Sequence, residues 1–296
     1  MKLFSGNASK DLALKIANQL NVDLSPMEIF VFADGEKRVK LNEKVLGQDC
    51  VLIQSTGIPT DINYMELFFI LDALKRSGAK SITLVAPYLG YSRQDHVFRE
   101  GEEVSLQVII KIIETLGMDK IISFDFHSIK IPEFFKTNVI HLSALDLFAE
   151  HIKKMEDYVL VSPDMGGIRR IKLLSEMLGG APFVTIEKDR DLDTAKISIS
   201  KLNGDVKGKV AVIVDDILST GNTQVKVAEM LLENGATKVY SFTTHPVFAG
   251  AASKILQESK IEKFFVTDTI KVPKDKAFPK LEIISVANSI CQALKS

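Results

Sequence analysis

Cys50 and Cys291 are all the thiol chemistry this chain of 296 residues carries. They have neither metal-ligand spacing nor a disulfide framework, which suits a reducing cytoplasm and leaves each to pack as a small hydrophobe. Charge of either sign is not in excess: 37 basic residues stand against 38 acidic ones, a formal net charge of -1. Without a basic face there is no electrostatic footprint for nucleic acid, and without an acidic block there is no solvating tail, so the expected partner is a small molecule. No apolar run is long enough to span a bilayer, and the opening MKLFSGNASKDLALKIANQL reads as strand, turn and amphipathic helix, not as a signal peptide. The expectation is a soluble cytoplasmic protein with no membrane partner.

What the chain does have is a steady alternation of strand-like and helix-like runs. CVLIQSTG, INYMELFFILDALKRSG, SITLVAPYLG, VSLQVIIKIIETLG and KIISFDFH follow one another in the first half; YVLVSPD, a helix over 166–178, PFVTIEK, VAVIVDD, a helix over 222–234 and KVYSFTTHPVF repeat the rhythm in the second. That order predicts an α/β fold of mainly parallel sheets flanked by helices, with ligands gathered where strands end in loops. The length suits two such domains. We place them at 1–142 and 143–296, with the last helix, 286–296, a candidate to cross back to the first half.

The halves also echo each other. A strand ending in Ser55-Thr56-Gly57, a helix closing with Ser77-Gly78-Ala79 and the strand SITLVAP match a strand ending in Ser219-Thr220-Gly221, a helix closing with Asn234-Gly235-Ala236 and the strand VYSFTTHP. Only the second copy carries adjacent carboxylates, in VAVIVDDILSTGNT. The pair Asp215 and Asp216 is therefore not needed to build the unit and reads as added for binding.

Two like charges at what reads as the end of an apolar strand call for a cation or a set of hydroxyls opposite them. Ser219, Thr220, Gly221, Asn222 and Thr223 follow, at the start of a helix whose unpaired amide N–H groups and hydroxyls make a seat for a phosphate. Carboxylates beside an anion seat fit a phosphorylated sugar, whose diol they can hold; the plainer alternative is an N-capping loop with solvated aspartates. Elsewhere the residues leave more open. Asp34, Gly35 and Glu36 form either an exposed turn or acceptors for a nucleotide. Arg93 and Gln94, with Asp95 next, follow an aromatic, glycine-containing loop where a guanidinium can fork onto phosphate. His127 ends the strand KIISFDF, and Asp164 ends YVLVSPD, where it serves a metal's water shell or caps the following helix. Lys188 and Arg190 sit in EKDRDLDTAK, between two strands, as a solvated hairpin or as cations that close over a moving phosphoryl group.

VDDILSTGNT resembles the ribose-phosphate loop of the phosphoribosyltransferase fold. FADGE at 32–36, PYLGYSRQD at 87–95, DFH at 125–127, VSPDMGG at 161–167 and EKDRD at 187–191 occur in the order of one family, and on that set the chain is identified as a member of the ribose-phosphate pyrophosphokinases. The resemblance implies two phosphoribosyltransferase-like domains and transfer of the β,γ-diphosphate of ATP to the 1-hydroxyl of ribose 5-phosphate, with Mg²⁺ as cofactor and a homo-oligomeric assembly. It implies ATP binding by Asp34, Gly35, Glu36, Arg93, Gln94, Asp95 and His127. Ribose 5-phosphate falls to Arg190, Asp215, Asp216 and residues 219–223, catalysis to Lys188 and Arg190, and metal to His127 and Asp164. Magnesium prefers oxygen, so His127 is expected to act through water or a phosphate. The chain departs from the family at Phe126 and Ser128 beside the histidine and at Ser219 and Gly221 in the sugar loop. Those departures bear on phosphate activation, ADP inhibition and oligomer size. The rival functions are a base phosphoribosyltransferase and a non-catalytic regulator that binds nucleotides.

Overall fold

The computed structural model describes residues 1–190 and 197–295, with 188–190 and 197–201 described by their backbone alone. Two compact units result: Met1–Leu142 with Thr269–Lys271 and Ser285–Ser296, and Ser143–Asp268 with Val272–Ile284.

In the first unit the strands are β1 (Lys2–Ser5), β2 (Met27–Val31), β3 (Lys37–Leu41), β4 (Asp49–Ile53), β5 (Ser81–Val85), β6 (Lys120–Phe124) and β7 (Asn138–Leu142). The helices are α1 (Lys10–Leu20), α2 (Thr60–Arg76) and α3 (Ser105–Thr115). The main sheet runs β1-β4-β5-β6-β7, every neighbouring pair parallel. β2 and β3 form a separate antiparallel hairpin. Its inner residues Met27, Ile29, Val39 and Leu41 pack on a core built from Leu52, Leu67, Ile70, Leu84 and Ile121.

In the second unit α4 (Leu145–Ile152), β8 (Tyr158–Ser162), α5 (Ile168–Met177), β9 (Phe183–Arg190), β10 (Ile197–Asn203), β11 (Val210–Leu218), α6 (Asn222–Glu233), β12 (Lys238–Pro246), α7 (Ala252–Glu258), β13 (Lys263–Thr267) and β14 (Leu281–Ile284) follow in order. The sheet runs β10-β9-β8-β11-β12-β13-β14 and is parallel except for the β9–β10 pair. Val159, Val161, Ala211 and Ile213 enter one core, while Leu160, Val212 and Val214 enter another with Phe148, Ile171 and Phe242. Alternate residues of β8 and β11 thus serve opposite faces of a sheet covered on both sides, which is why these strands are continuously apolar.

The echo in the sequence has a topological counterpart. β4-α2-β5 and β11-α6-β12 occupy the same steps of the two parallel orders β1-β4-β5-β6-β7 and β8-β11-β12-β13-β14, and each unit inserts an antiparallel hairpin, β2-β3 or β9-β10, ahead of that step. The last helix, α8 (Ala287–Lys295), belongs to the first unit, where it lies against α1 with the Cys291 thiol donating to the Ile16 carbonyl at 3.8 Å. Cys50 and Cys291 are both buried and unbridged, and burial pushes both thiols up from their ordinary range. No helix among the described residues is long and apolar enough to cross a membrane.

Candidate active site

β11 does not end at the acidic pair, as its sequence suggests. It continues through Asp215 and Asp216 to Leu218, because Ile217 and Leu218 still find register with His245 and Pro246 of β12. The two carboxylates are therefore held on a strand in mid-sheet, with the Asp216 amide donating to Asp215 Oδ1 at 2.9 Å. The cation that such a pair calls for is Arg170, in the first turn of α5: Nη1 lies 3.5 Å from Asp215 Oδ1 and Nη2 lies 3.3 Å from Asp216 Oδ1. All three side chains are largely withdrawn from solvent. Burial and the neighbouring Asp216 charge push the Asp215 carboxyl well above the usual carboxylate range; Arg170 opposes that rise, and Asp164 adds slightly to it. Sequence reasoning missed Arg170. Its only signal is the Arg169-Arg170 doublet one residue after Gly166-Gly167, which does not say where either side chain points.

Beyond β11 the chain turns into α6 through Gly221, which takes a left-handed φ of +83°. A Cβ there would stand 2.8 Å from Leu256 Cδ2, so both conformation and space demand glycine. The first intrahelical bond runs from the Val225 amide to the Gly221 carbonyl at 3.1 Å. Ahead of it lie the helix's opening N–H groups, which have no intrahelical acceptor and are the kind of donors that suit an anion. Ser219 is tied back through its carbonyl, which accepts from the Ala249 amide at 3.1 Å, and the exposed Thr220 hydroxyl stands 3.4 Å from Asn222 Nδ2. Beneath the helix start, buried Gln224 donates to Thr243 Oγ1 at 3.0 Å and accepts from Ser241 Oγ at 2.6 Å, pinning α6 to β12. The seat is thus rigid below and open above.

The first-unit copy of this loop has been put to structural use. Ser55, Thr56 and Gly57 are buried, Thr56 Oγ1 donates to the Tyr88 carbonyl at 3.1 Å and accepts from the Gly90 amide at 2.8 Å, and a Cβ on Gly57 would meet Ile270 at 2.9 Å.

Asp164 Oδ1 accepts from the Gly167 amide at 3.1 Å, capping a short 3₁₀ turn ahead of α5. Gly167 itself is needed for space, since a Cβ would lie 2.5 Å from Ser162 Oγ. Lys188 and Arg190 fall on β9, not on a loop beyond it: their backbone pairs with Ile199 and Ile197 of β10. A run of charges hid the strand, because EKDR carries no apolar alternation. Their side chains lie outside the described residues.

In the first unit Asp34, Gly35 and Glu36 form the tip of the β2–β3 hairpin. The Phe32 amide donates to the Glu36 carbonyl at 2.8 Å, the Glu36 amide to Asp34 Oδ1 at 3.1 Å, and Gly35 takes φ +89°. Beside the tip, exposed Phe30 and Phe32 sit edge to face with centroids 4.8 Å apart, and the Arg38 guanidinium lies 5.6 and 5.7 Å from the two rings. Arg93 and Gln94 are exposed in the loop after β5, and Asp95 Oδ1 lies 2.7 Å from His96 Nδ1. His127 does not end a strand. β6 stops at Phe124, since Asp125 takes φ +30°, and His127 is exposed in the turn that follows.

No cluster of three or more His, Cys, Asp or Glu side chains that could hold a metal occurs among the described residues. The donor set still fits magnesium as a companion of phosphates: a hard cation that keeps its waters needs one or two carboxylates, not a cage, and Asp164 is a carboxylate that could serve.

A strand-borne acidic pair faced by one arginine, followed closely by a helix start of the kind that suits an anion, has the form of a phosphate-handling α/β enzyme built of two similar units. Models of known families narrow this. Residues 1–117 match the N-terminal domain of ribose phosphate pyrophosphokinase, and residues 191–296 match the phosphoribosyl synthetase-associated domain. The chain is 37% identical over 299 residues to ribose-phosphate pyrophosphokinase 1 of Streptococcus pyogenes and 38% identical over 297 residues to that of Listeria monocytogenes, covering 99% of this chain and 93% of each relative. The crystal structure of phosphoribosylpyrophosphate synthetase from Mycobacterium smegmatis matches with a TM-score of 0.94 at 35% identity, over 99% of this chain and 97% of that one. The chain belongs to the ribose-phosphate pyrophosphokinase family.

Proposed function

We propose that the protein transfers the β,γ-diphosphate of ATP to the 1-hydroxyl of ribose 5-phosphate. O1 attacks the β-phosphorus, the bond from that phosphorus to the α,β-bridging oxygen breaks, and the products are 5-phosphoribosyl 1-pyrophosphate, AMP and the proton lost from O1. The single observation that carries this reading is the Asp215–Asp216 pair held by Arg170 on the strand that leads into the Gly221 turn. Residues 219–223 seat the 5-phosphate on the helix start, and the aspartates accept from the ribose hydroxyls, so the sugar is gripped at both ends. Arg170 removes much of the repulsion that two bare carboxylates would exert on an anionic substrate.

Asp34, Gly35, Glu36, Arg93, Gln94, Asp95 and His127 bind the nucleotide, the carboxylates taking base or ribose donors and Arg93 the phosphates. Lys188 and Arg190 stabilise charge on the moving diphosphate, where positioning and electrostatics do most of the work, and Arg190 also holds the sugar phosphate. Asp164, and His127 through water or a phosphate, are the residues that would hold magnesium, which would supply charge neutralisation to the phosphates. We place the enzyme in the cytoplasm, consistent with its buried, unbridged cysteines, and take it to be a homo-oligomer by its family.

The test is omission. With Mg²⁺, ATP and ribose 5-phosphate should yield AMP, and either substrate alone should not. A base phosphoribosyltransferase would produce nothing until given phosphoribosyl pyrophosphate and a base, and a regulator nothing at all.

A further inference from the structure

Glu66 is a buried carboxylate of the first unit with four donors around it, and the transfer reaction gives it no task. It stands on α2 at 1% exposure. It accepts from the Asn7 amide at 2.6 Å, Asn7 Nδ2 at 3.0 Å, Gln54 Nε2 at 3.3 Å and Lys37 Nζ at 2.8 Å. Lys37 is itself mostly covered, and it is the first residue of β3, immediately after Glu36. The tip closes on its own backbone bonds, and nothing lies within 4 Å of where a Gly35 side chain would be, so the tip's placement comes from the strands beneath it.

We propose that Glu66 is a positioning residue for the nucleotide, acting through Lys37 to fix the hairpin tip that presents Asp34 and Glu36. A desolvated carboxylate needs its cation in one place, so the ion pair locks the start of β3 to α2 more narrowly than apolar contact would. Asn7 and Gln54 hold the carboxylate's remaining lone pairs, so Glu66 cannot turn to follow a shifting Lys37. The inference rests on reading Asp34 and Glu36 as nucleotide ligands.

Glu66→Gln keeps one acceptor oxygen, for the Asn7 amide and Gln54, and turns an uncharged NH2 group toward Lys37 and Asn7 Nδ2, and Lys37→Gln breaks the pair from the other side. Each should raise KM for ATP about tenfold while KM for ribose 5-phosphate stays within about twofold. Amide hydrogen exchange over residues 30–39 should quicken in both variants, and Lys37→Arg should restore both readouts. If a single variant does not fold, the Glu66→Gln/Lys37→Gln double variant, which buries no lone charge, is read in its place. Unchanged exchange in the hairpin overturns the proposal, as does an equal rise in both KM values, which would mark mere structural support. Asp34→Ala separates the two layers. If it raises KM for ATP while Glu66→Gln does not, the positioning role alone falls; if neither does, the nucleotide reading falls and takes the proposal with it.

Discussion

Gly221→Ala probes the proposed phosphate seat at a point where the backbone conformation and the space both favour glycine. A residue bearing a Cβ in the left-handed region costs about 1–2 kcal/mol. The new methyl would also stand 2.8 Å from Leu256 Cδ2 and 3.0 Å from its Cγ, and Leu256 is wholly buried. Forcing an extra carbon into such a site costs about 1–3 kcal/mol. The sum is a loss of about 2–5 kcal/mol from the second unit, read by denaturant unfolding. Relief of the strain by backing α6 away from α7 would shift the opening amides, so calorimetry should show weaker ribose 5-phosphate binding as well. Leu256→Ala in the same chain removes the clash but not the backbone strain. The double variant should therefore be more stable than the sum of the singles by about 1 kcal/mol or more. A Gly221→Ala protein within about 0.5 kcal/mol of the parent would refute the geometry of the turn.

Asp215→Asn should stabilise the fold at neutral pH. The folded carboxyl is raised, so as pH climbs from the ordinary carboxylate range through the raised value the unfolded state loses its proton first and stability falls. The gain in Tm should vanish below the ordinary range, and a gain independent of pH would contradict the assignment. Arg170→Ala leaves two carboxylates facing each other; KM for ribose 5-phosphate should rise at least tenfold, on the order of one lost charge-assisted contact, with KM for ATP little changed in steady-state assays. Lys188→Ala should lower turnover on the order of a hundredfold with substrate binding nearly intact, and single-turnover rates set against binding titrations would expose a loss shared equally by both.

The alternation of strands and helices was legible because a sheet covered on both faces makes its strands apolar throughout, and VAVIVDD and YVLVSPD are such strands. The acidic pair was legible for the opposite reason, being charge where the pattern calls for none. Its partner was not. Arg170 precedes Asp215 by a helix and a hairpin in the chain, and only folding brings them within 3.5 Å. Strand ends were misjudged in both directions, since polarity and hydrogen bonding are separate signals. Asp215 and Asp216 stay in the ladder because β12 continues beside them, whereas Asp125 leaves it by a turn of φ. The buried Glu66–Lys37 pair is invisible in MELFF and GEKRV, because a charged residue in a helix reads as surface until its cover is known.

The central claim is attack on the β-phosphorus, and one labelling experiment addresses it. ATP carrying heavy oxygen at the α,β-bridge is turned over with ribose 5-phosphate and Mg²⁺, and the products are resolved by phosphorus NMR and mass spectrometry. The account predicts that the bridging oxygen leaves with AMP and that phosphoribosyl pyrophosphate forms unlabelled in equal amount. Label in the transferred diphosphate, or release of ADP in place of AMP, would contradict it.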